Sequence, residues 1–170
     1  TGTAQVTNGA LTGFSIRGGG VTIGSGGFNN SATPYTDIMS RAVSVVGALR
    51  AQNLGIITGL QTVDYSTGLI SNQDTNTYAA GALTIDTAAL GGMYAGNISI
   101  LATEAGLGVR NQGTWQATGG QIVVTADGLL QNLGTVSAGV ASLATVKGHI
   151  ENTGSIQGTQ AVVTSSGGDS

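Results

Sequence analysis

The 170-residue chain contains no cysteine, which excludes disulfide bonds and thiolate metal sites. No apolar run approaches the roughly 18 residues that a transmembrane helix requires, so none is predicted. The chain begins at Thr1, without an initiator methionine or a signal peptide. We therefore expect it to be a fragment or a mature internal segment of a longer protein.

Charged residues are also scarce. They make up 8% of the sequence, against about 25% in an average globular domain, and the net charge is −3. Because 40% of the residues are hydrophobic, the low charge does not indicate disorder. The basic residues form no stripe, which argues against nucleic acid as a partner. They are Arg17, Arg41, Arg50, Arg110 and Lys147.

Aromatic residues (4%) and proline (one residue) are rare, whereas glycine occurs 30 times. A core with few aromatic side chains must be filled by Ala, Val, Ile and Leu, which suits a thin core of small stacked residues. Abundant glycine with almost no proline is typical of closely spaced strands joined by many tight bends.

A seven-residue motif recurs three times near the C-terminus. It reads NQGTWQA at Asn111–Ala117, NLGTVSA at Asn132–Ala138 and NTGSIQG at Asn152–Gly158. The copies start 21 and then 20 residues apart, a period typical of a parallel β-helix with one coil per repeat. The predicted fold is therefore all-β, with residues 1–170 forming one continuous right-handed parallel β-helix. About eight coils of roughly 20 residues would give a rod about 40 Å long.

Within and around each copy of the motif, apolar residues occupy every second position, and the repeated Asn falls in the same alternating set. Since the side chains of a strand alternate between two faces, this set is predicted to face the interior. Asn111, Asn132 and Asn152 would then lie at matching points of adjacent coils. Each amide can bond the next one there, as in an asparagine ladder.

The earlier part of the chain is less regular. Phe28–Ser40 contains the only proline, and Thr36 within it is predicted to cap a single helical turn that runs to about Ser40. The polar stretch Tyr65–Ala80 is predicted to leave the coil as an excursion such as a hairpin. Short strands bounded by Gly or Asn are predicted at 11–16, 21–23, 42–49, 54–58, 62–65, 81–85 and 98–102.

Few residues suggest a catalytic or ligand-binding role. Trp115 has inward parity and is predicted to fill the core, the alternative being an outward Trp that stacks on a sugar. His149 has outward parity and is interpreted as a solvated surface residue. Gly18–Gly20 and Gly24–Gly27 are interpreted as turns, because neither precedes a helix or the Lys-Ser/Thr pair of a phosphate loop.

The acidic residues leave an alternative open. Carbohydrate-cleaving β-helix enzymes place two carboxylates on neighbouring coils, and five acids here recur at 18 to 24 residues. The simpler interpretation is that these acids occupy outward-facing positions at the corners of the coils, where they keep the surface soluble. We predict no catalytic residue, no cofactor-binding residue and no metal ligand. The five acids are Asp64, Asp86, Glu104, Asp127 and Glu151.

Three segments carry a resemblance to a known family. YTDIMSRAV (Tyr35–Val43) and SVVGALRAQNLGIITG (Ser44–Gly59) resemble the second half of the secretion domain of two-partner-secretion exoproteins. LGGMYAGNISILATEAGLGVRNQG (Leu90–Gly113) resembles the segment where that domain passes into the haemagglutinin repeats. Residues 1–105 are thus similar to the secretion domain, and residues 106–170 to the first haemagglutinin-type repeats.

This family contains filamentous haemagglutinins, haemolysin-like proteins and contact-dependent growth-inhibition proteins. The resemblance implies a right-handed parallel β-helix at the cell surface of a Gram-negative bacterium or secreted from it. It further implies export by an Omp85-type outer-membrane β-barrel transporter, and a shaft that adheres to a host or bacterial receptor or carries a C-terminal toxin. The NPNG-type recognition motif of the family does not occur in this sequence, so the chain alone is not expected to be export-competent.

The predicted function is a non-catalytic segment of a large adhesin or toxin-delivery exoprotein that forms part of its β-helical shaft. Two alternatives are a β-helical carbohydrate-active enzyme and a passive structural spacer. A piece of a helical rod also presents unpaired strands at its ends. We therefore expect end-to-end self-association unless a cap covers each end.

Overall fold

A computed structural model describes residues 2–72, 82–102 and 104–167 of the chain. These residues form strands and turns, and none of them belongs to a helix that is long and apolar enough to cross a membrane. The strands are β1 (Thr3–Thr7), β2 (Ala10–Ile16), β3 (Gly20–Ile23), β4 (Phe28–Ser40), β5 (Ala42–Val45), β6 (Ala48–Thr58), β7 (Gln61–Asp64), β8 (Ile70–Asn72), β9 (Leu83–Thr87), β10 (Gly92–Ala95), β11 (Asn97–Ala102), β12 (Gly108–Asn111), β13 (Thr114–Ala126), β14 (Leu130–Asn132), β15 (Thr135–Thr145), β16 (Ile150–Asn152), β17 (Ser155–Gln157) and β18 (Gln160–Ser165).

Two parallel sheets wrap around one apolar core. One has six strands in the order β16-β14-β12-β9-β5-β3, and the other has eight strands and contains β4, β6, β10, β11, β13, β15, β17 and β18. Each coil contributes one strand to the first sheet and one long or two shorter strands to the second. The predicted all-β, right-handed parallel β-helix is therefore confirmed.

The coil count differs from the prediction. The strands pair as about six coils instead of eight, which shortens the stack to about 25–30 Å at the usual strand spacing. The prediction divided the whole chain by the repeat length. Strands β1, β2, β7 and β8 instead form a separate four-stranded sheet beside the coils, so their residues add nothing to the height of the stack.

The separate sheet is antiparallel throughout. Its first hairpin turns at Asn8-Gly9, where both residues have positive φ (52° and 80°), as a type I′ turn requires. The second hairpin joins β7 to β8 and begins the excursion predicted for Tyr65–Ala80. Residues 73–80 of that stretch lie outside the described residues. At its turn the Ser66 hydroxyl, with the amide and hydroxyl of Thr67, lowers the pKa of Asp64 to about 2.

The helical turn predicted at Thr36–Ser40 is wrong. These residues belong to β4, which pairs in parallel with β6. Thr36 is buried and accepts a hydrogen bond from the Asn30 side-chain amide (3.0 Å), so it does not cap a helix. Pro34 is tolerated because it lies where the β4–β6 register shifts, between Asn30 and Tyr35, on a strand that pairs along one edge.

Apolar side chains from successive coils stack directly on one another inside the helix. The largest member is Trp115, which is fully buried, so the predicted inward orientation is confirmed. Its row runs through Leu49, Met93, Trp115, Val136 and Ile156. A second row contains Ile56, Ile100, Val124, Leu143 and Val163.

The glycine of the repeated motif packs against its own copy in the previous coil. A Cβ atom on Gly134 would overlap the carbonyl oxygen of Gly113, and one on Gly154 would overlap that of Gly134. The same carbonyls accept backbone hydrogen bonds from the next coil, for example Thr135 N to Gly113 O at 2.8 Å. Glycine is therefore required because backbone meets backbone at this corner.

We predict that Gly134→Ala destabilises the chain by about 1–3 kcal/mol, because the added methyl group must displace the backbone of the neighbouring coil. Gly26→Ala is the matched control, because a Cβ at Gly26 would meet no atom within 4 Å. Chemical denaturation followed by circular dichroism measures both variants. Equal unfolding midpoints for the two would contradict the stacked-glycine explanation.

Candidate functional site

The predicted asparagine ladder is present, with Asn111 and Asn132 inside the helix and Asn152 exposed at its end. The Asn111 side-chain amide donates to the Asn132 side-chain oxygen (2.9 Å), and the Asn132 amide donates to the Asn152 oxygen (2.7 Å). Asn111 and Asn132 are fully buried. Each amide also donates to the backbone of the next coil, to Thr135 O and Ser155 O. The ladder thus joins three consecutive coils at one corner.

On the preceding coil, Thr87 is the register partner of Asn111. Thr87 is fully buried and its hydroxyl accepts a hydrogen bond from the Trp115 indole N–H at 2.9 Å. The only tryptophan therefore has its single polar atom satisfied within the core. This contact leaves Trp115 no outward face with which to stack on a sugar.

Outward-facing residues also stack in rows. Asp86, Arg110, Gln131 and Glu151 are consecutive register partners on the six-stranded sheet. Arg110 donates to both carboxylate oxygens of Asp86 (2.9 and 2.8 Å), which lowers the pKa of Asp86. Gln131 donates to Glu151 (2.8 Å). The row therefore contains two bonded pairs of polar side chains.

His149 lies on the surface, as predicted, with 67% of its side chain exposed. Its Nε2 atom is 3.0 Å from Glu151, and this hydrogen bond is the main cause of the lowered pKa of Glu151. Within the described ranges no group of three or more His, Asp or Glu side chains could hold a metal ion. The prediction that the chain has no site residues remains a prediction.

Asp86 and Glu151, the two acids on one row, are too far apart to act as the carboxylate pair of a glycoside hydrolase. Asp86 and Glu151 share a row but are separated by two strands, which places them roughly 14 Å apart, beyond the 5–9.5 Å of hydrolase pairs. Asp64 lies in the turn of the antiparallel sheet. Asp127 accepts from the Gly106 backbone N–H (2.8 Å) and pairs with Lys147.

Glu104 is the acid that departs from the predicted solvated position. Its side chain is 0% exposed and pairs with Arg41, which donates from Nη2 at 2.9 Å. Arg41 follows β4 directly, and Glu104 follows β11. The bond therefore connects the turns after two strands that lie on opposite sides of β6. Sequence spacing could not reveal this pair, since its members are 63 residues apart.

A family model described as the TPS secretion domain matches residues 1–132. The chain belongs to the two-partner secretion domain family. In structure, the secretion domain of a filamentous hemagglutinin, solved by crystallography, is similar with a TM-score of 0.59 and 26% identity, covering 99% of this chain and 56% of that one.

Similar curated proteins include a toxin CdiA of Yersinia pestis, which is 39% identical over 163 residues, or 93% of this chain. The filamentous hemagglutinin of Bordetella pertussis is 29% identical over 144 residues, or 80% of this chain. The matched regions make up only 5% and 4% of these relatives. This secretion domain therefore corresponds to a small part of secreted or surface-displayed exoproteins of Gram-negative bacteria.

One contact on the secretion domain surface had no signal in the sequence patterns. The Arg50 guanidinium carbon lies 4.8 Å from the centroid of the Tyr94 ring. The two residues are register partners on β6 and β10, with the long excursion between them in sequence. Aligning the irregular coils residue by residue would have revealed the pair; the motif repeats, which start at Asn111, do not extend that far.

We predict that Asn132→Ala destabilises the chain by about 1–3 kcal/mol, because it removes the buried bond from Asn111 and both hydrogen bonds that the Asn132 amide donates to the next coil. Gln131→Ala is the control, since Gln131 is adjacent in sequence but outward-facing; its effect should stay within about 0.5 kcal/mol. Thermal melts of both variants make the comparison. A wild-type melt for Asn132→Ala would contradict a stabilising role of the ladder.

Proposed function

We propose that this chain is a non-catalytic export and extension module of a large adhesin or toxin-delivery exoprotein. An Omp85-type outer-membrane transporter recognises the secretion domain during export, and the coils then begin a shaft. The observation that carries the proposal is the family match over residues 1–132. The stack of coils that begins in this region continues in register through β18. The shaft then presents downstream regions to a host or bacterial surface receptor.

The register of the stack supports this role. Strand β15 pairs with β13 through ten residues, and β18 pairs with β15 through six. Each new coil therefore finds a complete template of hydrogen-bonding groups on the coil before it. A chain that emerges from a transporter can fold coil by coil on such a template, without a partner from a distant part of the sequence.

The distribution of carboxylates favours the non-catalytic role over a carbohydrate-active enzyme. Each of the five acids singled out by their spacing (Asp64, Asp86, Glu104, Asp127 and Glu151) is bonded to its own basic, amide or hydroxyl partner. We place the passage from the secretion domain (1–105) to haemagglutinin-type repeats (106–170) close to Gly108, where the regular period begins.

Secretion of the full-length exoprotein tests the proposal. We predict that deletion of residues 1–132 reduces the protein recovered in the medium at least tenfold when the exoprotein is co-produced with its transporter. The control removes a downstream stretch of equal length made of whole coils, which should leave export within about twofold. Undiminished export after the first deletion would contradict the proposed role.

We also propose that the isolated 170-residue chain self-associates end to end. Strand β18 pairs with β15 on one edge, and Val163, at the end of an inner apolar row, is 52% exposed. Sedimentation velocity should show a weight-average mass that rises with concentration, and Val163→Lys should reduce this rise because a charge opposes stacking on the core. Concentration-independent monomers of the wild-type chain would contradict self-association.

A further inference from the structure

An open groove of about 340 Å³ lies on the outer face of the eight-stranded sheet. Its floor is formed by backbone and small residues, including Ala51, Ala95 and Gly96. Its polar lining comes from adjacent coils, because Arg50, Tyr94 and Gln116 are consecutive register partners. Ser31 and Thr118 complete the rim. Nothing in the proposed export role uses this groove.

Among the described residues, the Arg50 guanidinium contacts an aromatic ring and no carboxylate. Arg41, Arg110 and Lys147 each pair with a carboxylate, whereas no Asp or Glu in the described ranges pairs with Arg50. Its defined contact is the Tyr94 ring at 4.8 Å, a cation–π arrangement. A guanidinium on a ring face keeps its N–H donors free for an anion.

Tyr94 owes its position to Gly92. A Cβ atom at Gly92 would lie 2.7 to 2.8 Å from the ring atoms and hydroxyl of Tyr94. The missing side chain therefore lets the phenol lie down along the strand, beside Arg50, instead of standing away from the sheet. Three residues on two adjacent coils, Arg50, Gly92 and Tyr94, therefore determine the position of the guanidinium.

The neighbouring polar side chains are uncommitted. Among the described residues, the Gln116 amide and the Thr118 hydroxyl form no hydrogen bond with the protein, and both residues are exposed. The groove next to it, at Asn53 and Asn97, differs. There the Asn97 amide donates to the Asn53 oxygen (2.9 Å) and the Asn53 amide donates to Pro34 O (2.8 Å), so these amides serve the fold.

We propose that this groove binds an acidic sugar, with the carboxylate of a uronic-acid unit on Arg50. The guanidinium matches a carboxylate with two parallel hydrogen bonds. Gln116 and Thr118 supply donors and acceptors for ring hydroxyls, and the Tyr94 hydroxyl adds a further polar group. A hydroxyl-rich ligand fits because the groove is shallow and offers small side chains instead of a deep apolar pocket.

The row continues beyond the groove in a way that suits a polymer. Gln116 is followed in register by Ser137 and Gln157 on the next two coils. Adjacent coils are about 4.8 Å apart, comparable with the length of one pyranose unit in a linear chain. A polysaccharide lying along the axis would therefore meet one polar side chain per coil, with the charged anchor at Arg50.

The inference does not depend on the proposed export role, because binding is measured on the purified chain. We titrate the 15N-labelled protein with a hexamer of α-1,4-linked galacturonate and follow amide shifts by NMR. The expected result is saturable shifts confined to Arg50, Tyr94, Gln116 and their neighbours. Arg50→Gln should weaken binding at least tenfold, and Tyr94→Leu should weaken it several-fold because the guanidinium is no longer held.

Arg17→Gln is the matched control, since Arg17 is also exposed and has no carboxylate partner in the described ranges, but lies outside the groove. It should bind within about twofold of the wild type, and thermal melts verify that each variant is folded. The neutral hexamer maltohexaose should bind at least tenfold more weakly. The proposal is overturned by equal binding of the two hexamers, by equal losses in Arg50→Gln and Arg17→Gln, by competition from inorganic sulfate at equal charge, or by the absence of binding at low-millimolar hexamer.

Discussion

The in-register stacking of each residue on its counterpart in the neighbouring coil is the constraint on which the structure depends. A parallel ladder places equivalent positions about 4.8 Å apart, so every side chain must tolerate copies or substitutes above and below it. Leu49, Met93, Trp115, Val136 and Ile156 satisfy this condition by dispersion and burial. Asn111, Asn132 and Asn152 satisfy it by bonding one another.

The same constraint explains the two invariant letters of the repeated motif. The asparagine side chain bonds both the next asparagine and the backbone of the next coil. Two residues later, the glycine permits the turn of one coil to rest on the turn of another. An amide ladder and a close backbone contact therefore occur at one corner, and both repeat at the axial spacing of the parallel strands.

The sequence predicts the regular half of the molecule well because its physics is local and periodic. The inward parity of Trp115 and the ladder at Asn111 follow from alternation and the repeat. The antiparallel sheet could not be predicted from the same signals. Its strands β2 and β7 have the same sequence patterns as the strands of the coils. They differ only because they pair with each other, some 45 residues apart along the chain.

The prediction at Thr36 failed for a related reason. A Thr four residues before Ser40 has the local features of a helix cap, but pairing with β6 overrides this weak preference. Glu104 shows the limit for charged residues. From the sequence, an acid in a turn is predicted to be exposed to solvent. The burial of Glu104 depends on its ion pair with Arg41, which is close to it only in the folded chain.

Stacking also determines where charge can remain unpaired. In a row of outward residues each charge has two neighbours at a fixed distance, so an acid and a base on adjacent coils neutralise each other, as Asp86 and Arg110 do. Arg50 has Tyr94 as its row neighbour instead, which orients the guanidinium without neutralising it. On a surface with few charges, such a row position leaves a cation available for an anion from outside the chain. The rod geometry that serves extension thereby also presents a defined charged position along its length.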